Sequence, residues 1–149
     1  MSRHIAISPE EAADRLAIRE LIEAYAHCAD RRDARGQMSL FTADARFVVS
    51  MNAKDPTPSQ ELHSREALAL VFAELHRANH HQHVDHRSWN RRDLLPFASR
   101  NGRRWERRLM VASLRYLDCF VKIDGIWLFA ERLLYVDWVE ERALSGPHA

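Results

Sequence analysis

The sequence predicts an α+β fold, and two observations carry the prediction. Three helical periodicities fill the first half of the chain, and two long β-rich runs joined by Asp124-Gly125 fill its last third. About three N-terminal helices laid on one face of a curved antiparallel sheet would enclose a pocket on the concave side. The 149 residues suit one domain over 1–149, long enough to bury a real core.

The elements follow in order. Ser8-Pro9-Glu10-Glu11 announces the first helix: Ser8 caps it, Pro9 suits its first position and Glu11 completes a capping box. Ile18, Leu21, Ile22, Tyr25 and Ala29 then form one apolar stripe, which Arg31-Arg32-Asp33 breaks. A short helix is expected over Ala34 to Leu40, a turn at Phe41-Thr42-Ala43-Asp44-Ala45, and a strand at Arg46-Phe47-Val48-Val49. Residues 52–60, with Pro56 and Pro58, read as a loop. Ser64 caps a third helix carrying Leu68, Val71, Phe72 and Leu75 on one face. From Asn79 to Arg104 no period emerges, so no element is assigned there. Leu109 to Ile123 and Ile126 to Val139 are the arms of a hairpin, and residues 143–149 form a frayed tail.

Composition excludes several classes. Hydrophobic residues at 46% and charged residues at 29% describe an ordinary globular protein rather than a disordered or fibrous one. No apolar run reaches the ~18 residues of a membrane span, and the opening residues lack the apolar region of a signal peptide. Cys28 and Cys119 both sit in apolar contexts, which points to reduced core thiols and a cytoplasmic protein. The net charge of +1 is unevenly spread: Arg87 to Arg108 holds eight arginines against Asp93 and Glu106.

Three stretches together carry a family likeness. The first runs from Leu16 to Tyr25 and on through Ala29-Asp30-Arg31-Arg32-Asp33. The second is Met38-Ser39-Leu40-Phe41-Thr42-Ala43-Asp44-Ala45. The third comprises Tyr116-Leu117-Asp118, Val121 to Trp127, Ala130-Glu131-Arg132 and Asp137-Trp138. As a set they resemble SnoaL-like proteins of the NTF2-like superfamily, the group of polyketide cyclases and relatives of scytalone dehydratase and ketosteroid isomerase. The resemblance implies a cone-shaped fold around a pocket. It lapses at Arg87-Ser88-Trp89-Asn90-Arg91-Arg92, where relatives place an alternating strand.

Asp30 is the first catalytic candidate. It borders the apolar stripe at the end of the first helix, and a carboxylate partly withdrawn from water there suits a general base. The same position also suits a turn cap or an ion pair with Arg31 or Arg32. In relatives a carboxylate at the matching place pairs with a histidine from the strand after the third helix. His80 fits that place best, with His81 one register away, and on a strand these two face opposite sides. A solvated histidine cluster is the alternative. Tyr25, Tyr116 and Trp138 are further candidates for lining a substrate pocket, though aromatics at such spacing also serve as core.

His76, His80, His81, His83, Asp85 and His86 offer metal ligands without a spaced motif such as H-E-x-x-H, so no metal is expected. The Arg-rich middle with Trp89, Phe97 and Trp105 lacks any recognised nucleic-acid motif, so it reads as a solvated edge or an anion-binding rim. The resulting expectation is a cofactor-free lyase or isomerase acting on a small apolar, cyclic molecule by Asp30–His80 proton transfer. The alternative is a non-catalytic ligand carrier, or a small structural subunit of a ring-hydroxylating oxygenase. No nucleic-acid or membrane partner is expected. The apolar final strands predict a homodimer or homotrimer.

Overall fold

The computed structural model describes residues 6–52, 54–55, 57–78, 81–85, 90–97 and 106–143. Helix α1 (Pro9–Asp30) begins as the sequence predicts: Ser8 Oγ accepts from the Glu11 N–H at 3.1 Å, with Pro9 in the first turn. The capping box is only half made, because Arg15 takes the Glu11 carboxylate at 2.7 Å one turn on. Leu21, Ala26 and Ala29 are buried along its stripe, with Ile18, Ile22 and Tyr25 half-buried beside them. Asp33 caps the short α2 (Ala34–Ser39) by accepting from Gly36 N–H at 2.8 Å. Ser64 caps α3 (Arg65–Ala78), which buries Leu68 and Phe72.

Among the described residues, six strands form one open sheet in the order β2-β1-β6-β5-β4-β3. They are β1 (Phe41–Ser50), β2 (Gln60–His63), β3 (His81–Asp85), β4 (Asn90–Phe97), β5 (Glu106–Ile123) and β6 (Ile126–Ala143). The sheet is mixed rather than wholly antiparallel, since β1 runs parallel to β6. Phe41-Thr42-Ala43-Asp44-Ala45, expected as a turn, is the first half of β1. Its ladder to β6 slips between Phe41 and Arg46, so the stretch bows away from regular pairing.

The middle of the chain also departs from expectation. β3 and β4 pair antiparallel, and β4 continues onto β5 from Asn90↔Ser113 to Phe97↔Glu106. Asn90-Arg91-Arg92-Asp93-Leu94-Leu95-Pro96-Phe97 has no alternation and holds a proline. Its strand character comes from the ladder that the long β5 offers, a non-local cause that a sequence window does not register. The hairpin is as expected. Asp124 and Gly125 both take positive φ, 51° and 80°, the backbone a two-residue turn needs between Ile123 and its partner Ile126.

One face of the hairpin packs against the helices. On β5 the even-numbered residues Ala112, Leu114, Tyr116, Asp118 and Phe120 face inward, while Arg115, Leu117 and Cys119 are exposed. Cys119 is therefore an exposed thiol of the outer sheet face and not a core one; Cys28 is half-buried, and both are free. The main core gathers Leu21, Phe41, Ala45, Phe47, Leu68, Phe72 and Phe129, with Tyr25 and Trp127 packed against it. Phe41 and Phe129 stack at 5.0 Å and both are fully buried. No helix among the described residues is long and apolar enough to cross a membrane.

Candidate functional site

Two bulges on β6 decide which of its side chains meet the helices. Asp118 pairs with Arg132 and Phe120 with Phe129, so one residue is extra between them; a second extra residue precedes Trp138. Each extra residue turns the following side chains to the other face. Phe129, Arg132 and Val136 are consequently all buried, although their spacing fits no simple alternation.

Arg132 is the unexpected member of this inner face. Only 2% of it is exposed, and its guanidinium carbon lies 4.0 Å from the Tyr25 ring centroid, 3.8 Å from that of Tyr116 and 4.7 Å from that of Phe129. Asp118 supplies the opposite charge, with Oδ1 3.1 Å from Nε. The contact is an ion pair without hydrogen-bond alignment, because Asp118 Oδ1 and Arg132 Nε and Nη1 are all buried and unpartnered. Burial pushes the Asp118 carboxyl above the usual aspartate range, and the charge of Arg132 opposes that rise.

Tyr25 and Tyr116, proposed from sequence as pocket residues, are thus brought together around an arginine. Tyr25 also meets the rings of Phe41, Phe72 and Phe129 edge-on at about 6 Å. Asp30 stands five residues after Tyr25 at the C-terminus of α1 and is half-buried. With Glu23, Ala24, Ala26 and His27 it lines an open cleft of about 400 Å³ on the flank of the helix. Glu23, His27 and Asp30 give that wall its polar groups, and Ala24 and Ala26 its apolar ones.

The histidine partner is less fully described. His80 lies outside the described residues. His81 opens β3, the strand that runs beside α1, and its side chain lies outside the described set. Trp138 is not brought to the Tyr25–Tyr116 cluster. It pairs with Ser113 beyond the second bulge, which puts it on the outer side with Leu117, 49% exposed. Among the described residues no group of three or more His, Cys, Asp or Glu side chains is placed to hold a metal ion.

Sequence reasoning passed over Arg132 and Asp118 as site residues, although a signal was present. Counting outward from Asp124-Gly125 pairs Asp118 with Glu131, two like charges directly opposed. That mismatch is relieved by the bulge that brings Arg132 opposite Asp118.

Comparison with known proteins agrees with this architecture. The family model described as a SnoaL-like domain matches residues 10–133. The chain belongs to the SnoaL-like family. Among solved structures it is similar to a scytalone dehydratase candidate from Novosphingobium aromaticivorans, with 18% identity over 93% of this chain and 95% of that one and a TM-score of 0.59. A type 2 hexachlorocyclohexane dehydrochlorinase (LinA) shares 16% identity over 93% of this chain and 97% of that one, with a TM-score of 0.65. The β subunit of a candidate aromatic-ring-hydroxylating dioxygenase from N. aromaticivorans shares 20% over 85% and 91%, with a TM-score of 0.56. At such identities the likeness is one of fold. No curated protein sequence matches the chain.

Proposed function

We propose that this SnoaL-like chain is a cofactor-free lyase or isomerase that moves a proton on a small, largely apolar, cyclic substrate. The observation that supports the reading is the position of Asp30: a half-buried carboxylate at a helix end, on the wall of an open cleft, on the helix that also runs beside the strand following His80. Two structures of similar fold are described as a dehydratase and a dehydrochlorinase, both names for eliminations that begin or end with a proton transfer. In this reading His80 takes a proton from a carbon made acidic by its neighbour. Asp30 holds the imidazole in one tautomer and stabilises the imidazolium that forms. His81 takes the same role if its side chain rather than that of His80 faces Asp30.

The test is turnover of a panel of cyclic hydroxy-ketones and halogenated cyclohexanes. Asp30→Asn and His80→Ala should each lower turnover of an accepted compound by ~10²-fold or more, the scale of lost acid–base help. Unchanged turnover in both variants would end this reading. It would favour the second one, a binding or subunit role, which the likeness to a dioxygenase β subunit supports.

A further inference from the structure

We propose that His27 is the hydrogen-bond donor of the Asp30 cleft, and that the ligand it recognises is a neutral ring bearing an acceptor oxygen, such as a cyclic ketone. The inference rests on the proton-transfer reading of that cleft and names the compounds the cleft accepts.

The described lining of the cleft consists of Glu23, Ala24, Ala26, His27 and Asp30. Glu23 and Asp30 bring carboxylates, which accept hydrogen bonds, and the alanines bring methyl groups. His27 is therefore the one side chain on this described wall that can donate to a ligand. It is exposed, and it stands three residues before Asp30 on α1, a spacing that puts two side chains on one face of a helix. Arg31, at the C-cap of α1, sets the form of the ring. Its backbone N–H binds His27 O at 3.1 Å, and its Nη1 lies 3.4 Å from His27 Nε2. A guanidinium donates and cannot accept, so Nε2 carries a lone pair in this contact. The neutral ring then holds its proton on Nδ1. Nδ1 meets no hydrogen-bond partner among the described residues, which leaves its N–H for a ligand.

This polarity selects the ligand. A ligand carboxylate would set its acceptor oxygens against those of Glu23 and Asp30 on the same wall, and a hydrocarbon ring would leave the Nδ1–H without an acceptor. A neutral carbonyl oxygen takes that hydrogen bond and leaves the rest of the ring to the methyl groups of Ala24 and Ala26. A carbonyl also acidifies the carbon beside it. The group that His27 holds is then the one that prepares the neighbouring C–H bond for the base.

The experiment uses the whole isotope-labelled chain and three probes of like size: α-tetralone, its analogue with C=CH₂ in place of C=O, and the matching ring carboxylate. Long-range proton–nitrogen NMR should show the His27 ring, identified by the signals lost in His27→Leu, protonated at Nδ1. Arg31→Leu should release it to a mixture of both neutral forms and weaken ketone binding. The wild-type chain should bind the ketone ~fivefold tighter than the methylene analogue, the scale of one neutral hydrogen bond, and the carboxylate more weakly than the ketone. His27→Leu should erase the ketone preference while keeping affinity for the methylene analogue. His27→Asn, whose amide restores a donor, should recover part of it. Far-UV circular dichroism reports whether each variant is folded. A wild-type ring protonated at Nε2, equal affinity for ketone and methylene analogue, binding of neither, or a preference that survives in folded His27→Leu would overturn the proposal. Should His27→Leu fail to fold, Arg31→Leu decides, and an unchanged preference there overturns it as well. Loss of turnover in Asp30→Asn without a His27-dependent preference sinks this inference alone, whereas the preference without any Asp30-dependent turnover sinks the catalytic reading alone.

Discussion

The guanidinium of Arg132 lies 3.8 Å from the ring centroid of Tyr116, its neighbour on the adjoining strand, and the pair joins the hairpin to α1 through Tyr25. The attraction comes from the ring face, so the phenol hydroxyl is dispensable and the ring is not. Tyr116→Phe should leave stability within ~0.5 kcal/mol of wild type, whereas Tyr116→Leu should lose about 1–2 kcal/mol by urea denaturation. Equal losses in the two variants would mean that the ring is not what holds the cation.

Phe129 should be the most sensitive core position. It is fully buried, stacks on Phe41 at 5.0 Å and meets Phe120 at 5.2 Å. Its backbone N–H also binds Leu40 O at 2.9 Å, closing β6 onto the entry to β1. Truncation leaves a cavity that these rings cannot fill by small shifts. Phe129→Ala should therefore cost ~3–5 kcal/mol in chemical denaturation, while Phe129→Leu costs markedly less.

Asp14 ties the start of α1 to the hairpin, accepting from Lys122 Nζ at 2.7 Å and from Trp127 Nε1 at 3.0 Å with one oxygen. The Lys122 hydrogen bond first, and that of Trp127 second, hold its carboxyl below the usual aspartate range. A depressed carboxyl stabilises the fold above its unfolded pKa, and the benefit is lost as pH falls through the folded value. Asp14→Asn should thus lower the Tm slightly at neutral pH, with the difference shrinking in strongly acidic solution. A difference that grows toward acid would contradict the assignment.

Much of the fold was legible because its signals are local. Ser8, Ser64 and Asp124-Gly125 act within a few residues, and the stripe from Ile18 to Ala29 needs only the helical period. What escaped has long-range causes. β4 takes its conformation from pairing with β5, and the parallel register of β1 on β6 joins residues more than eighty apart in sequence. At the site, Tyr25, Tyr116 and Asp30 could be singled out from spacing alone. Arg132 could not, since a single extra residue in β6 moves it from the expected outer face to the inner one. The same logic placed Trp138 on the outside.

That outer face underlies the last prediction. Alternation along β5 and the pairing Ile123↔Ile126 put Leu117, Ile123 and Ile126 on the side away from the helices, where they are 58%, 46% and 63% exposed, and Trp138 adds to the same side. Scattered exposed apolar residues are ordinary, but these four share one face of two adjoining strands. A second copy of the same chain offers the same surface, and a closed symmetric contact satisfies both at once. The protein should therefore run as a homodimer or homotrimer in light scattering at micromolar concentration. Leu117→Glu and Ile126→Glu place charge where burial would be needed, so each should shift the species toward monomer without loss of circular dichroism. The substitutions lie on the opposite side of the sheet from Tyr25 and Arg132, so the inner-face packing should survive in the monomer. A wild-type protein that is already monomeric, or an assembly indifferent to both charges, would show that this face is simply solvated.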